Sequence, residues 1–273
     1  MEVRDIDEGK LQAEELKTQW TNWIIKGLRY VHTGYGLVVF TVLFFIFLPF
    51  LCIPMIFPRA HALIGILNRW WARALFAFVG LPVKIHYRFT PERGKQYIFC
   101  PNHFSYLDVP TVGLNTCNTI FVGKIEMQRV PLFGWMYSKL HITVDRNRLR
   151  SRYESLVRAA KAIDEGKSLT IFPEGGIVSK GMPRLAPFKD GAFRLAIEKQ
   201  IPIVPVTIPF NWIILPDDTF LLTWGRVVAV FHEPIPTEGL RMDQIDELKE
   251  RVHEVIRNEL NEWNYGNRPP VTG

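Results

Sequence analysis

The heptapeptide Asn102-His103-Phe104-Ser105-Tyr106-Leu107-Asp108 follows Pro101 and the apolar run Tyr97-Ile98-Phe99-Cys100. It holds a histidine and an aspartate five positions apart. On a helix that interval turns the two side chains well off a common face, and on a strand an odd interval sends them to opposite faces. The pair meets only if the chain turns between them. A histidine and an aspartate that meet where a strand ends make a general base with an orienting carboxylate. The spacing alone fits a second reading equally well. His103 is then a loop histidine, and Asp108 caps a helix beginning near Val109-Pro110.

Outward from this stretch the pattern alternates. β-rich runs fall at 83–89, 97–100, 119–122, 142–144, 169–172, 203–208 and 227–231. Helical stretches fall between several of them, at 109–114, 131–140, 150–165, 191–199 and 242–263. Strands alternating with helices predict an α/β domain over 81–273, built on a mostly parallel mixed sheet flanked by helices. Chemistry in such sheets lies beyond the carboxyl ends of the strands. His103 falls there.

The residues ahead of this domain read differently. The 24 residues 34–57 carry no charge, and roughly 20 apolar residues suffice for a helix to cross a bilayer. This predicts an amphipathic N-terminal helix over 1–33, a membrane-inserted segment over 34–58 and an interfacial helix over 59–80. Pro49, Pro54 and Pro58 leave open whether the inserted segment spans or dips in and returns. Lys17, Lys26 and Arg29 on one side balance Arg59, Arg69 and Arg73 on the other, so charge gives no orientation. Trp20, Trp23, Trp70 and Trp71 beside basic residues suit the headgroup layer, though the 59–80 stripe equally suits packing on the domain over 81–273.

Composition narrows the function. The chain is 48% hydrophobic with a formal charge of +6, which favours anionic partners and membrane contact. No zinc-ligand pattern or lysine-arginine block is present, and the aromatics cluster with apolar runs, which argues against nucleic acid. Cys52, Cys100 and Cys117 are too few for a disulfide framework. The acidic amino terminus, with Glu2, Asp5, Asp7 and Glu8, is unlike a cleaved signal peptide.

Three further segments bear on His103 and Asp108. Ile142-Thr143-Val144-Asp145-Arg146 is a strand ending in an acid and a base, and an arginine placed there can grip a phosphate bidentately. Leu169-Thr170-Ile171-Phe172-Pro173-Glu174-Gly175-Gly176 runs a strand into a carboxylate and two glycines, which let backbone N–H groups turn toward an anion. Ile201-Pro202-Ile203-Val204-Pro205-Val206 is a proline-flanked strand suited to a wall or an edge.

In this order, across about 81–206, these segments resemble the four motifs of the glycerolipid acyltransferase family. Its first motif, Asn-His, four residues and Asp, matches Asn102, His103 and Asp108. Its second resembles Lys124, Pro131, Gly134, Trp135, Asp145 and Arg146. Its third, Phe-Pro-Glu-Gly, matches Phe172, Pro173, Glu174 and Gly175, and its fourth matches 201–206.

The resemblance implies acyl transfer from coenzyme A or acyl carrier protein to the free hydroxyl of a lysophospholipid, with lysophosphatidic acid the expected acceptor. It implies His103 as base, Asp108 as its orienter, and acceptor contacts from Asn102, Lys124, Arg146 and the 172–175 turn. No cofactor or metal is expected, and the partners are membrane lipids and the two substrates. Cytosolic donors imply a membrane protein whose catalytic domain faces the cytoplasm. One departure matters: where the third motif usually continues Thr-Arg, this chain has Gly176-Ile177. Lys180, Arg184 or Lys189 could supply the missing charge, or the acceptor carries another headgroup, such as that of a lyso-aminolipid.

Overall fold

Two long helices precede the sheet. In the computed structural model, which describes residues 2–177 and 184–265 and side chains from Thr21 onward except Pro58 and Lys124, helix α1 runs unbroken over Glu2–Ile56. At 1.5 Å per residue, its 55 residues extend roughly 80 Å. Pro49 and Pro54 lie inside it without ending it. The backbone therefore shows no break at the 33/34 boundary expected from composition, and residues 34–56 do not turn back on themselves. Reversal comes afterwards, through the 3-10 turn Pro58–Ala60 into α2 (Ala62–Val79).

α2 ends at Gly80, whose φ of 77° is cheap only for glycine, while Leu81 N–H closes on Phe76 O at 2.8 Å. By length and composition both helices could cross a membrane. The most apolar 18-residue window within Thr21–Ile56 has mean hydropathy 2.8, and Ala62–Val79 has 1.3. One face of α2 (Ile64, Ala72, Leu75, Phe76 and Val79) is buried, so the helix also packs on the domain that follows.

That domain is a seven-stranded sheet in the order β1-β7-β6-β2-β5-β3-β4. The strands are β1 (Val83–Tyr87), β2 (Ile98–Pro101), β3 (Thr119–Lys124), β4 (Ile142–Val144), β5 (Ser168–Ile171), β6 (Ile203–Thr207) and β7 (Val227–Phe231). The helices are α3 (Asp108–Gly113), α4 (Phe133–Leu140), α5 (Leu149–Asp164), α6 (Gly191–Lys199), α7 (Asn211–Ile214) and α8 (Ile245–Glu262). Every pairing is parallel except β6 with β7. The mostly parallel mixed sheet expected from the alternation is what forms.

Both faces of the sheet are covered. Ile98 and Cys100 face a cluster containing Ala159 of α5, Phe193 of α6 and Val252 and Ile256 of α8. Phe99 between them joins Val112, Val204 and Phe231 on the opposite face. Strands buried on both sides read as continuous apolar runs, which is why 97–100 and 203–208 stand out in the sequence. Each fully buried large apolar side chain contributes about 1.5–3 kcal/mol.

The proline-flanked strand departs from expectation. β6 is neither wall nor edge but lies between β2 and β7 with all five residues buried. Pro205 is tolerated because Val206, and not Pro205, bonds β2, accepting from Asn102 N–H at 3.3 Å. The backbone of Pro205 turns to the other side, where its carbonyl accepts from His232 N–H at 3.0 Å. The missing donor thus falls where the β6–β7 ladder covers only two residue pairs.

Candidate active site

The residues singled out in the sequence lie beyond the carboxyl ends of β2, β5 and β6, at the centre of the sheet, and of β4 at its edge. β2 delivers Asn102 and His103, β5 delivers Phe172 to Gly175, and β4 delivers Asp145 and Arg146. β2 lies between β5 and β6, so three of the four segments meet as neighbours. This is the position at which open parallel sheets carry their chemistry.

His103 and Asp108 do meet. Nδ1 of His103 lies 3.1 Å from Oδ2 of Asp108. The turn between them is held by the same oxygen, which accepts the N–H groups of Phe104 at 2.7 Å and Ser105 at 2.8 Å. Asp108 therefore bonds backward onto the turn. It does not cap α3, whose first residue it is and whose N-cap, Leu107, makes no side-chain bond.

Asp108 is fully buried, and its Oδ2 faces all three donors. A carboxylate acceptor at Nδ1 fixes the proton on that nitrogen and leaves Nε2 free to accept one. The imidazole stacks on Phe172 with centroids 4.1 Å apart, and its side chain is 14% exposed. Ring orientation and tautomer are both set before any ligand arrives.

Asn102 and Glu174 hold the frame. Asn102 is fully buried and brackets Ile208, donating from Nδ2 to its carbonyl at 3.0 Å and accepting its N–H at Oδ1, 2.7 Å away. It ties the end of β2 to the end of β6. Glu174, 2% exposed, accepts the His103 N–H at Oε1 (2.7 Å) and the Ala186 N–H at Oε2 (2.9 Å). The polar atoms of both side chains, expected from the motifs to face the acceptor, are spent on backbone.

Gly175 needs its φ of 82°, a region other residues enter at a cost, to turn the chain after Glu174. Its N–H closes on Phe172 O at 3.1 Å. Ser105, also fully buried, donates to Leu215 O at 2.7 Å and is likewise structural. Lys124 closes β3, but its side chain and all of Lys180 lie outside the described residues. Lys189 bonds its N–H to Pro173 O at 2.9 Å and lays its side chain along Gly175.

Burial pushes the Glu174 carboxyl up to about 7, outweighing the two amide donors that pull it down; the charge of Asp108 adds to the rise. The sign follows from linkage. The unfolded chain releases this proton near the ordinary value of 4.5, and the folded chain keeps it to about 7. Across that window the folded state holds more protons, so this residue's contribution to stability falls as pH rises from about 4.5 to about 7. Glu174→Gln removes the titration. Thermal melts at both ends of the window should therefore show a smaller pH-dependent loss in the variant than in the wild type. Equal slopes would mean that Glu174 does not titrate there.

His103 opens onto a cavity of about 380 Å³. Phe40, Phe44, Phe47 and Leu51 of α1 line it, as do Phe133 and Met136 of α4, and Arg146 and Ile177 line it with the histidine. Arg146 donates to Gly175 O and is half-buried, which draws its pKa down. α1 is thus part of the site, a contribution hidden in the sequence because its apolar residues read as membrane-facing. Sequence reasoning also passed over Asn211, which donates from Nδ2 to Oδ1 of Asp108 at 3.0 Å. Among the described residues, no group of three or more His, Cys, Asp or Glu is placed to hold a metal ion.

A histidine with a buried carboxylate behind it, on an apolar cavity also lined by an arginine, can take a proton from a hydroxyl held there. The model of the acyltransferase family, described simply as Acyltransferase, matches residues 83–209. A 1-acyl-sn-glycerol-3-phosphate acyltransferase of Haemophilus influenzae is 30% identical over 208 residues, covering 73% of this chain and 82% of that protein. The chain belongs to the acyltransferase family.

A Limnanthes douglasii protein of the same name is 32% identical over 183 residues, which cover 66% of this chain but only 64% of that protein's length. The fold is also that of a crystallised 1-acyl-sn-glycerophosphate (LPA) acyltransferase from Thermotoga maritima. That chain superimposes with a TM-score of 0.72 and 21% identity, covering 87% of this chain and 96% of its own. Every motif residue named above lies within 83–209, and Asn211, which belongs to none of the motifs, falls two positions beyond it.

Proposed function

We propose that this acyltransferase moves an acyl chain from an acyl thioester to the free hydroxyl of 1-acyl-sn-glycerol-3-phosphate. The observation that carries the reading is the 3.1 Å contact between His103 Nδ1 and Asp108 Oδ2 at the mouth of the apolar cavity.

In this reading Nε2 of His103 takes the hydroxyl proton as the oxygen attacks the thioester carbonyl. Asp108 stabilises the imidazolium that forms. Collapse of the tetrahedral intermediate breaks the C–S bond, and the proton passes from His103 to the departing thiolate. No acyl-enzyme forms. Arg146 faces the acceptor's phosphate and the cavity takes an acyl chain. Asn102, Glu174 and Gly175 act by holding the loop that carries His103, while Phe172 supports its ring. Lys124, the last residue of β3, is a further acceptor contact on the strength of the family motif alone.

The protein sits in the membrane through α1 and α2, with the sheet on the cytoplasmic side where soluble acyl thioesters reach it. Supporting this, Trp23 (71%), Val31 (71%) and Leu37 (66%) are largely exposed apolar side chains on α1. Trp70 lies under the Arg73 guanidinium on α2, an arrangement suited to headgroups.

Ile177 at the cavity, in place of a cation, favours a second reading in which the acceptor bears another headgroup. Purified protein supplied with acyl-coenzyme A and a side-by-side panel of lysophosphatidic acid, lysophosphatidylethanolamine and a lyso-aminolipid separates the two. Phosphatidic acid as the fastest-formed product supports the first reading, and preference for a lysolipid without a phosphate monoester overturns it.

Acyl-chain choice should depend on Gly123 and Tyr137, which both line the cavity. A methyl group at Gly123 would overlap the Tyr137 hydroxyl. Gly123→Ala is therefore expected to push that ring into the cavity and shift donor preference toward shorter chains in a competition assay. An unchanged chain-length profile would place the acyl chain elsewhere.

A further inference from the structure

We infer that Asn211 is a positioning residue for the reaction, the third member of an array His103–Asp108–Asn211. The inference rests on reading His103 and Asp108 as base and orienter. Asn211 is fully buried at the start of α7, 103 positions from Asp108 in the sequence. Its Nδ2 donates to Asp108 Oδ1 at 3.0 Å and to Thr111 Oγ1 at 2.9 Å.

The direction of these bonds is settled by chemistry. A carboxylate is an acceptor only, and the Thr111 hydroxyl already donates to Leu107 O at 2.6 Å. Both neighbours present acceptors, so the nitrogen must face them. The consequence is that Asn211 Oδ1 is buried without a hydrogen-bond partner. An orphaned buried carbonyl costs stability, and a residue chosen for stability would not carry it. Both donors are instead spent on the ground beneath the base.

The division of labour on Asp108 shows what this achieves. Oδ2 carries the imidazole and the two turn amides, all from the segment 103–105. Those bonds alone leave the carboxylate free to pivot about that oxygen. The bond from Asn211 to Oδ1 comes from a different element, beyond β6, and stops the pivot. Thr111, one turn along α3 from Asp108, fixes the other hydrogen of the same amide. The orienting carboxylate is thus clamped from two sides of the sheet's central neighbours, β2 and β6.

The test uses the full-length protein in its membrane or detergent preparation. Asn211→Leu keeps the size and removes both donors; kcat is expected to fall about 10- to 100-fold, the worth of one hydrogen bond to a charged group, with KM for acceptor and donor little changed. Asn211→Asp keeps the shape and sets a second carboxyl against Asp108; like charges this close and this buried cannot both ionise, so the pair holds one proton, which replaces the lost N–H donor. The other titratable groups at this site are His103 and Glu174, with Tyr106, Tyr137, His141, Arg146 and Asp217 lining the cavity. Turnover of Asn211→Asp should therefore stay close to wild type while that proton is held and fall as pH rises and the proton leaves, adding an alkaline loss to the kcat–pH profile that the wild type lacks.

Thermal melting confirms that each variant folds, and the Asp variant's pH profile reads the contact with Asp108 even if the Leu variant is unstable. Wild-type kcat in Asn211→Leu together with a wild-type kcat–pH profile in Asn211→Asp overturns the inference. His103→Ala, run alongside, keeps the two readings apart. If it stays active, the base assignment fails; if it is dead while both Asn211 variants behave as wild type, only this inference fails.

Discussion

Replacing His103 with alanine is expected to lower acyl transfer by at least roughly 10²- to 10⁴-fold, the usual worth of a positioned general base. The hydroxyl of a lysolipid has a pKa far above neutrality and attacks slowly unless its proton leaves as the new bond forms. His103 is the imidazole at the cavity mouth that is backed by a buried carboxylate, with Nδ1 committed to Asp108 and Nε2 left as acceptor. The ring makes no bond on which the fold depends beyond that contact and its stacking on Phe172. The variant should therefore melt close to the wild type and still bind lysolipid. Rates of thiol release with saturating substrates check it, and near-normal turnover in a folded variant would remove His103 from the chemistry.

Asp108→Asn should lower turnover by about 10³- to 10⁴-fold, because it attacks the tautomer. An asparagine oxygen can serve only one side of the present network. With Oδ1 on the His103 side, its amide nitrogen faces the Asn211 nitrogen, donor against donor. With the amide turned over, its nitrogen meets the Phe104 and Ser105 amides and drives Nδ1 to become the acceptor, which leaves the proton on Nε2 and no base facing the cavity. Either way buried donors lose partners, each costing about 1–3 kcal/mol. Asp108→Asn is thus expected to melt below the wild type, unlike His103→Ala. Full activity in Asp108→Asn, or equal melting of the two variants, would contradict this.

The geometry of the candidate site was largely legible because its parts are local. A five-residue interval that suits neither helix nor strand forces a turn, and the amides of Phe104 and Ser105 close that turn on Asp108. The strand ends were legible because buried parallel strands are unbroken apolar runs. What a side chain faces was not. Asn102 and Glu174 sit in motifs that point to the acceptor, yet burial turns both inward to Ile208, His103 and Ala186. Asn211 is a single asparagine with no local pattern, and only the adjacency of β2 and β6 brings it to Asp108. The role of α1 was hidden for a similar reason. Phe40 and Phe44 suit a bilayer by composition, and tertiary packing alone shows that they also wall the cavity.

The most direct measurement is acceptor-dependent thiol release from acyl-coenzyme A by the purified protein, with the lipid product and the intact protein both weighed by mass spectrometry. The expected result is thiol release only when lysophosphatidic acid is present, phosphatidic acid as the product, no acylated protein, and loss of all of this in His103→Ala. Thiol release without acceptor accompanied by a protein one acyl group heavier, or product formed equally well by His103→Ala, would contradict direct transfer through His103.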